Sequence, residues 1–132
     1  ISAGSGAGDN TLALIMTRGL AEMSRIGEAC GAQAATFMGL SGLGDLALTC
    51  TGDLSRNRQV GLRLGQGESL EHITSSLGMV AEGVKTTSAV YDLARRLGVE
   101  TPVTDTVQRL LHGGESPREA VMRLMTRTLR QE

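Results

Sequence analysis

Apolar residues three and four positions apart recur along most of the chain, and glycines interrupt the pattern at intervals. The longest run consists of Leu12, Ile15, Met16, Leu20, Met23 and Ile26. This spacing predicts an amphipathic helix that begins with Asp9 or Asn10 as its N-cap and ends at Gly31. Arg18 and Glu22 lie between the apolar positions, so we expect them on the solvated face of that helix.

The rest of the chain predicts further helices of the same kind. Short helical pieces are expected over about 34–40 and 43–50. The predicted helix starts are Ser55, Ser69, Thr101 and Ser116, and the predicted ends are Gly65, Gly78, Gly98 and Gly113. Ser116-Pro117-Arg118-Glu119 has the form of a capping box with proline at the first helical position. No segment alternates as a strand would, so we predict one all-α domain over residues 1–132, with about seven or eight helices.

Composition agrees with a soluble helical domain. Of 132 residues, 40% are hydrophobic and only 2% aromatic, so aliphatic side chains must fill the core. A net charge of -1 gives no long-range attraction to nucleic acid or to an anionic membrane, and no apolar run is long enough for membrane insertion. Cys30 and Cys50 favour a reduced, cytoplasmic protein, although a disulfide between them stays open. The start at Ile1, inside a Gly-rich run, leads us to expect a piece of a longer protein.

Gly42-Leu43-Gly44-Asp45-Leu46-Ala47 fits the spacing of a dinucleotide-binding fingerprint. That fingerprint needs a preceding buried strand and an acidic residue about 20 positions further on. Here a helical piece precedes it, and Arg63 and Leu64 stand where the acid should be. We therefore interpret these glycines as positions of close packing and ligand approach.

Asp45 and Thr49 are four positions apart, so a helix over 43–50 would place both on one face. Such a pair can bind a ligand hydroxyl or orient a catalytic amine. The alternative is an aspartate that only stabilises the first turn of its helix through the helix dipole. The residues alone leave both interpretations open.

Ser55, Arg56 and Asn57 lie at a predicted helix start, where a cation is unfavourable unless an anion is bound there. Backbone N–H groups and a guanidinium can together bind a phosphate. The alternative interpretation is that the Arg56 guanidinium is a solvated charge with no bound anion. Lys85 is the only lysine and is interpreted as solvated rather than catalytic, and neither His72 nor His112 is expected to be a ligand or a base.

Six blocks of sequence together resemble the C-terminal domain of bacterial NAD(P)-dependent glycerol-3-phosphate dehydrogenase. The blocks are Thr17-Arg18-Gly19-Leu20-Ala21-Glu22-Met23, Gly42-Leu43-Gly44-Asp45-Leu46, Thr49-Cys50-Thr51, Ser55-Arg56-Asn57-Arg58, Gly65-Gln66-Gly67 and Val80-Ala81-Glu82-Gly83-Val84. They cover nearly the whole chain in the order of the family. The resemblance implies a helical bundle like the C-terminal domain of 6-phosphogluconate dehydrogenase, in an enzyme that interconverts dihydroxyacetone phosphate and sn-glycerol 3-phosphate for phospholipid synthesis.

The resemblance also implies roles for particular residues, and no metal. Asp45 would contact the substrate and, with Thr49, help to position the catalytic amine. The substrate would be bound by Asp45, Ser55, Arg56 and Asn57, and the cofactor by Arg56, Val80 and Glu82. NAD or NADP would be held mainly by an N-terminal Rossmann domain of the full-length chain, which is expected to form a homodimer.

The proton-donating lysine of the family would lie upstream of Ile1, so we expect the 132 residues alone to be inactive. Two alternatives remain. The chain could be the helical domain of a related 6-phosphogluconate, UDP-sugar or ketopantoate dehydrogenase, or it could be a non-catalytic helical interaction module.

Overall fold

The structure, a computed structural model, describes residues 1–52, 55–77 and 82–127, and every regular element in these ranges is helical. The predicted helix end at Gly78 lies outside them. The α-helices are α1 (Asp9–Ala29), α2 (Ala34–Phe37), α3 (Asp45–Thr51), α4 (Arg56–Gly65), α5 (Leu70–Leu77), α6 (Glu82–Leu97), α7 (Pro102–His112) and α8 (Pro117–Thr126). A π-helical turn, Leu40–Gly44, leads directly into α3. The prediction of an all-α fold is confirmed for the described residues.

Helix α1 is the longest described helix, and four of the other helices pack directly against it. It packs against α2, α3, α6 and α7, while α7 also packs against α6 and α8. Helices α4 and α5 pack together around buried Val60 and Ile73. The partly buried residues against this pair are Leu64, Leu70, Leu77 and Val84. Val84 belongs to α6, so the core between α4 and α5 extends to the first turn of α6.

The helix starts predicted at Ser55 and Ser116 are confirmed. The Ser55 hydroxyl oxygen accepts a hydrogen bond from the backbone N–H of Arg58 at 3.3 Å. At the start of α8, the Glu119 N–H donates to the Ser116 hydroxyl oxygen, and the Glu119 carboxylate accepts from the Ser116 N–H, which completes the capping box. Hydrogen bonds from the Ser116 side chain and backbone hold the pKa of Glu119 below its usual value.

The predicted ends of α1 and α6 are also confirmed, but the predicted start of α1 is wrong. Gly31 and Gly98 follow these helices with φ of +90° and +67°, a conformation that favours glycine. Helix α1 begins one residue earlier than expected, with Gly8 as its N-cap. Asp9 and Asn10 therefore lie inside the first turn, where the Asp9 carboxylate interacts favourably with the helix dipole.

The expectation that Arg18 and Glu22 lie on a solvated face is wrong, because only 3% of each residue is exposed. The other helices pack around α1 on several sides, so positions between its apolar residues are covered as well. A buried charge must be paired or hydrogen-bonded. In this structure both side chains bind the ends of other helices.

Glu22 caps the start of α7. Its two carboxylate oxygens accept hydrogen bonds from the backbone N–H groups of Val103 and Thr104, both at 2.8 Å, and the Thr104 hydroxyl donates a third. The predicted start of α7 is confirmed, because Thr101 is the N-cap residue and Pro102 the first residue of the helix. The Thr101 hydroxyl makes no cap bond, however, and donates to Asp105 at 3.2 Å.

Arg18 binds the opposite kind of helix end. Its guanidinium donates to the backbone carbonyl of Leu124, in the last turn of α8, and to that of Arg127 at 2.8 Å. Carbonyl groups at a helix C-terminus lack intrahelical partners and carry partial negative charge. The guanidinium therefore satisfies them both as a donor and as a cation.

Candidate functional site

Asp45 and Thr49 lie one turn apart on α3, and both are exposed. The predicted helix over 43–50 is found at Asp45–Thr51, because residues 40–44 form the π-helical turn instead. In the described part of the chain, Asp45 forms no hydrogen bond or ion pair. Its carboxylate and the Thr49 hydroxyl are therefore available to a ligand.

Gly42, three residues before Asp45, has the packing role that the sequence indicated. Gly42 is buried, and a Cβ atom there would meet the carbonyl oxygen of Phe37 at 2.1 Å. Helix α2 and the π-helical turn, rather than a strand, precede Asp45. The local geometry is therefore not that of a dinucleotide-binding loop, as predicted.

Arg56 and Asn57 are the first two residues of α4, and both are exposed. Their backbone N–H groups belong to the set that has no acceptor inside a helix. Within the described residues, the Arg56 guanidinium makes no hydrogen bond or ion pair. Ser55 precedes them as N-cap, and its hydroxyl can still donate while its oxygen accepts from Arg58. This helix start offers several donors and one cation.

Asn57 joins the start of α4 to the start of α6. Its side-chain oxygen accepts a hydrogen bond from the Gly83 N–H at 3.1 Å. A Cβ atom at residue 83 would lie 2.6 Å from that oxygen, so a larger residue there would have to displace the Asn57 side chain. The exposed Glu82 is the first residue of α6 and therefore lies beside this bond. The other predicted cofactor residue of this block, Val80, lies outside the described residues.

Arg58 joins α4 to α3, and sequence reasoning missed this link. Its Nε donates to the backbone carbonyl of Cys50 at 3.2 Å. A second arginine in the first turn of a helix was visible in the sequence, but its partner is a backbone atom that no residue pattern reveals. Burial raises the pKa of the Cys50 thiol, and both Cys50 and Cys30 are free thiols.

A cleft of about 320 Å³ brings some of these groups together. Residues of α3, α4 and α6 that line it include Thr49, Cys50, Asn57, Arg58, Gly83 and Thr87. Apolar residues of α1, α4, α7 and α8 line it as well. Thr49 and Asn57 thus share one cleft, whereas Asp45, Ser55, Arg56 and Glu82 do not line it.

Other candidate chemistry is not supported in the described ranges. Lys85 is exposed, as predicted for a solvated lysine. The described residues contain no group of three histidine, cysteine, aspartate or glutamate side chains that could hold a metal ion. None of their helices is both long and apolar enough to span a membrane.

Comparisons with known proteins bear on the family of this chain. Residues 1–122 match the profile of the family described as NAD-dependent glycerol-3-phosphate dehydrogenase C-terminus. The chain is 62% identical over 132 residues to a glycerol-3-phosphate dehydrogenase (NAD(P)+) of Nitratidesulfovibrio vulgaris, covering 100% of this chain and 40% of that protein. It is 64% identical over 129 residues to the protein of the same name from Desulfovibrio desulfuricans, covering 98% and 39%.

A solved structure supports the same assignment. The crystal structure of a glycerol-3-phosphate dehydrogenase from Coxiella burnetii superposes with a TM-score of 0.92 at 42% identity, covering 96% of this chain and 39% of that one. The chain thus spans about 40% of the length of the curated relatives that it matches. Because the family profile covers nearly all of it, the chain belongs to the family of C-terminal domains of NAD-dependent glycerol-3-phosphate dehydrogenase.

Proposed function

We propose that this chain is the substrate-binding domain of an enzyme that interconverts dihydroxyacetone phosphate and sn-glycerol 3-phosphate with NAD or NADP. The observation that carries the proposal is the junction of three helices. Asn57 links the starts of α4 and α6, Arg58 links α4 to α3, and Thr49 lines the same cleft as Asn57. A small phosphorylated polyol has a charged end and a hydroxyl end, and this junction offers a partner for each.

The start of α4 is proposed as the phosphate end. The N–H groups of Arg56 and Asn57 point out of the helix start, and the exposed Arg56 guanidinium supplies positive charge. A helix N-terminus with an arginine is well suited to phosphate oxygens. Ser55 and Asn57 add a hydroxyl and an amide NH₂ as further donors. Arg56 is exposed enough to reach a cofactor phosphate as well.

Helix α3 is proposed as the reacting end. The Asp45 carboxylate and the Thr49 hydroxyl, one turn apart, would orient the substrate and the amine of a lysine supplied from outside this chain. The nicotinamide would supply or accept the hydride. On the cofactor side, Glu82 adjoins the Asn57–Gly83 bond, and Val80 precedes it in sequence. The chain itself contributes binding and orientation.

The surface beside Asp45 fits a site that another part of the protein covers. Leu40, Leu43 and Leu48 are 91%, 43% and 71% exposed. Large apolar side chains clustered next to polar ligand groups are typical of an interaction surface. We assign this surface to an N-terminal Rossmann domain of the full-length enzyme. Assembly as a homodimer and a place in the cytoplasm belong to the same proposal.

A chimeric enzyme tests the proposal. The 132-residue chain alone should show no NADH or NADPH oxidation with dihydroxyacetone phosphate. In the Nitratidesulfovibrio vulgaris relative, replacing the matched segment with this chain should preserve that activity. In the chimera, Asp45→Asn should lower kcat by about 10²-fold, because misplacement of the catalytic amine has effects of that order.

Asp92→Asn is the matched control, because Asp92 is an exposed aspartate on α6, away from the junction. It should leave kcat unchanged. A folded chimera without activity, or one that prefers 6-phosphogluconate, would refute the proposed substrate. Turnover by the isolated chain would refute the division of labour.

A further inference from the structure

Arg58 connects the two helices that carry the proposed binding groups. It is half-buried, unlike the exposed Arg56 two residues earlier. Its Nε donates to the Cys50 carbonyl of α3 at 3.2 Å, and its own N–H donates to the Ser55 hydroxyl at 3.3 Å. The side chain of Arg58 therefore holds the end of α3, while its backbone is part of the start of α4.

The end of α3 needs such a partner. A helix of seven residues has little stability of its own, so its direction depends on what holds it. Residues 52–55 join it to α4, so chain length keeps the two helix ends close, whereas the direction of α3 also depends on contacts such as that of Arg58. Cys50 lies in the last turn of α3, where a carbonyl lacks an intrahelical partner and attracts a cation.

We propose that Arg58 is a positioning residue that sets the spacing between the two ends of the substrate site. It holds α3, with Asp45 and Thr49, at the distance from the start of α4 that lets one ligand contact both. The identity of that ligand rests on the proposed function. The link itself rests on the contact between Arg58 and Cys50.

Two probes of different length separate positioning from binding. In the 132-residue chain, sn-glycerol 3-phosphate contacts both helices, whereas inorganic phosphate contacts only the start of α4. Arg58→Ala should weaken glycerol 3-phosphate binding about tenfold in an NMR titration, as for loss of one hydrogen bond to a charged group. Phosphate binding should change less than about twofold, a shift too small to report a lost contact.

Arg58→Lys should restore most of the affinity, because an ammonium group can donate to the same carbonyl. Arg118→Ala is the control, since Arg118 is an exposed arginine in the first turn of α8. Equal loss for both probes would show general destabilisation and would overturn the proposal. An unchanged affinity for glycerol 3-phosphate would overturn it as well.

Amide hydrogen exchange provides a test that needs no ligand. Arg58→Ala should accelerate the exchange of amides 49–52 about tenfold, because the end of α3 loses its anchor. Amides in α7 should keep their rates. If the wild-type chain binds neither probe, the proposed substrate site fails, and the exchange rates alone decide about Arg58. Unchanged rates at the end of α3 would then overturn the inference.

Discussion

Two sets of charged side chains in this molecule have the same chemistry and opposite surroundings. Arg18 and Glu22 of α1 are buried, and each is bound by backbone groups of another helix. Arg56 and Asp45 at the candidate site are exposed and, within the described residues, make no hydrogen bond or ion pair. One set is used to hold the fold, and the other is available to a ligand.

Helix polarity explains the difference. Glu22 lies at the positive end of α7 and Arg18 at the negative end of α8, so both charges complement helix dipoles inside the chain. Arg56 is a cation at the positive end of α4, where the dipole opposes it. That arrangement becomes favourable when an anion binds between the guanidinium and the helix start. The comparison therefore points to the start of α4 as the place that needs an external partner.

Removing Glu22 should have the largest effect on stability. Glu22→Ala leaves the partly buried N–H groups of Val103 and Thr104 without their acceptor and opens a cavity at a buried position. We expect a loss of about 3 kcal/mol in the free energy of unfolding, as for other buried groups that lose a charged partner. Chemical denaturation monitored by circular dichroism would measure it.

Glu28→Ala is the matched control for this prediction. Glu28 is an exposed glutamate on the same helix, so its removal should change stability by less than about 0.5 kcal/mol. Comparable losses for the two variants would show that the cap on α7 contributes little. The contrast between the buried and the exposed charges would then no longer hold.

Local signals in the sequence predicted much of the fold. Ser116 and Glu119 lie three residues apart, so one short segment of sequence is enough to predict their capping box. Gly31 ends α1 for an equally local reason, a positive φ. The pairing of Asp45 with Thr49 on one face also needs only the helical repeat. Features that depend on neighbours in sequence could therefore be predicted.

Features that depend on packing between distant segments could not be predicted from the sequence. Glu22 lies 81 residues before Val103, and nothing between them indicates that α1 supplies the cap of α7. The carbonyl groups bound by Arg18 and Arg58 are backbone atoms, which any residue type could carry. At the site, the pattern predicted residues that could bind a ligand, and their role stays a prediction. It could not indicate that Gly83 would contact Asn57.

Removing Arg56 should affect binding rather than folding. Arg56→Ala should weaken sn-glycerol 3-phosphate binding to the 132-residue chain by about ten- to a hundredfold, as expected for a charge-assisted hydrogen bond of about 1.5–3 kcal/mol. Its free energy of unfolding should stay within about 0.5 kcal/mol of the wild type, because the side chain is exposed. Calorimetric titration and urea denaturation measure the two quantities.

Arg96→Ala serves as the control for Arg56, because Arg96 is exposed in the last turn of α6, far along the helix from Glu82. Arg96→Ala should change neither the affinity for sn-glycerol 3-phosphate nor the free energy of unfolding. A large loss of stability in Arg56→Ala would place this arginine with Arg18 as a structural residue. The proposed phosphate end would then have to be abandoned.

The smallest expected effect is a dependence of stability on pH that comes from Glu22. Burial raises the pKa of its carboxyl above the ordinary value of 4.5, although hydrogen bonds from Thr104 and Val103 lower it. The folded chain therefore binds this proton more tightly than the unfolded chain. The free energy of unfolding contributed by this group should fall as pH rises from 4.5 through the raised pKa.

Glu22→Gln isolates this contribution, since glutamine has no proton to lose. Urea denaturation of both proteins from about pH 4 to about pH 7 should show the wild type losing stability relative to the variant as pH rises. Glu68 and Glu119 have lowered pKa values, but both proteins carry these two groups, so their contributions cancel in the difference. Parallel pH profiles would mean that the three hydrogen bonds fully offset the burial of the charge. Glu22 would then be distinguished from Asp45 by its burial and its hydrogen-bond partners alone.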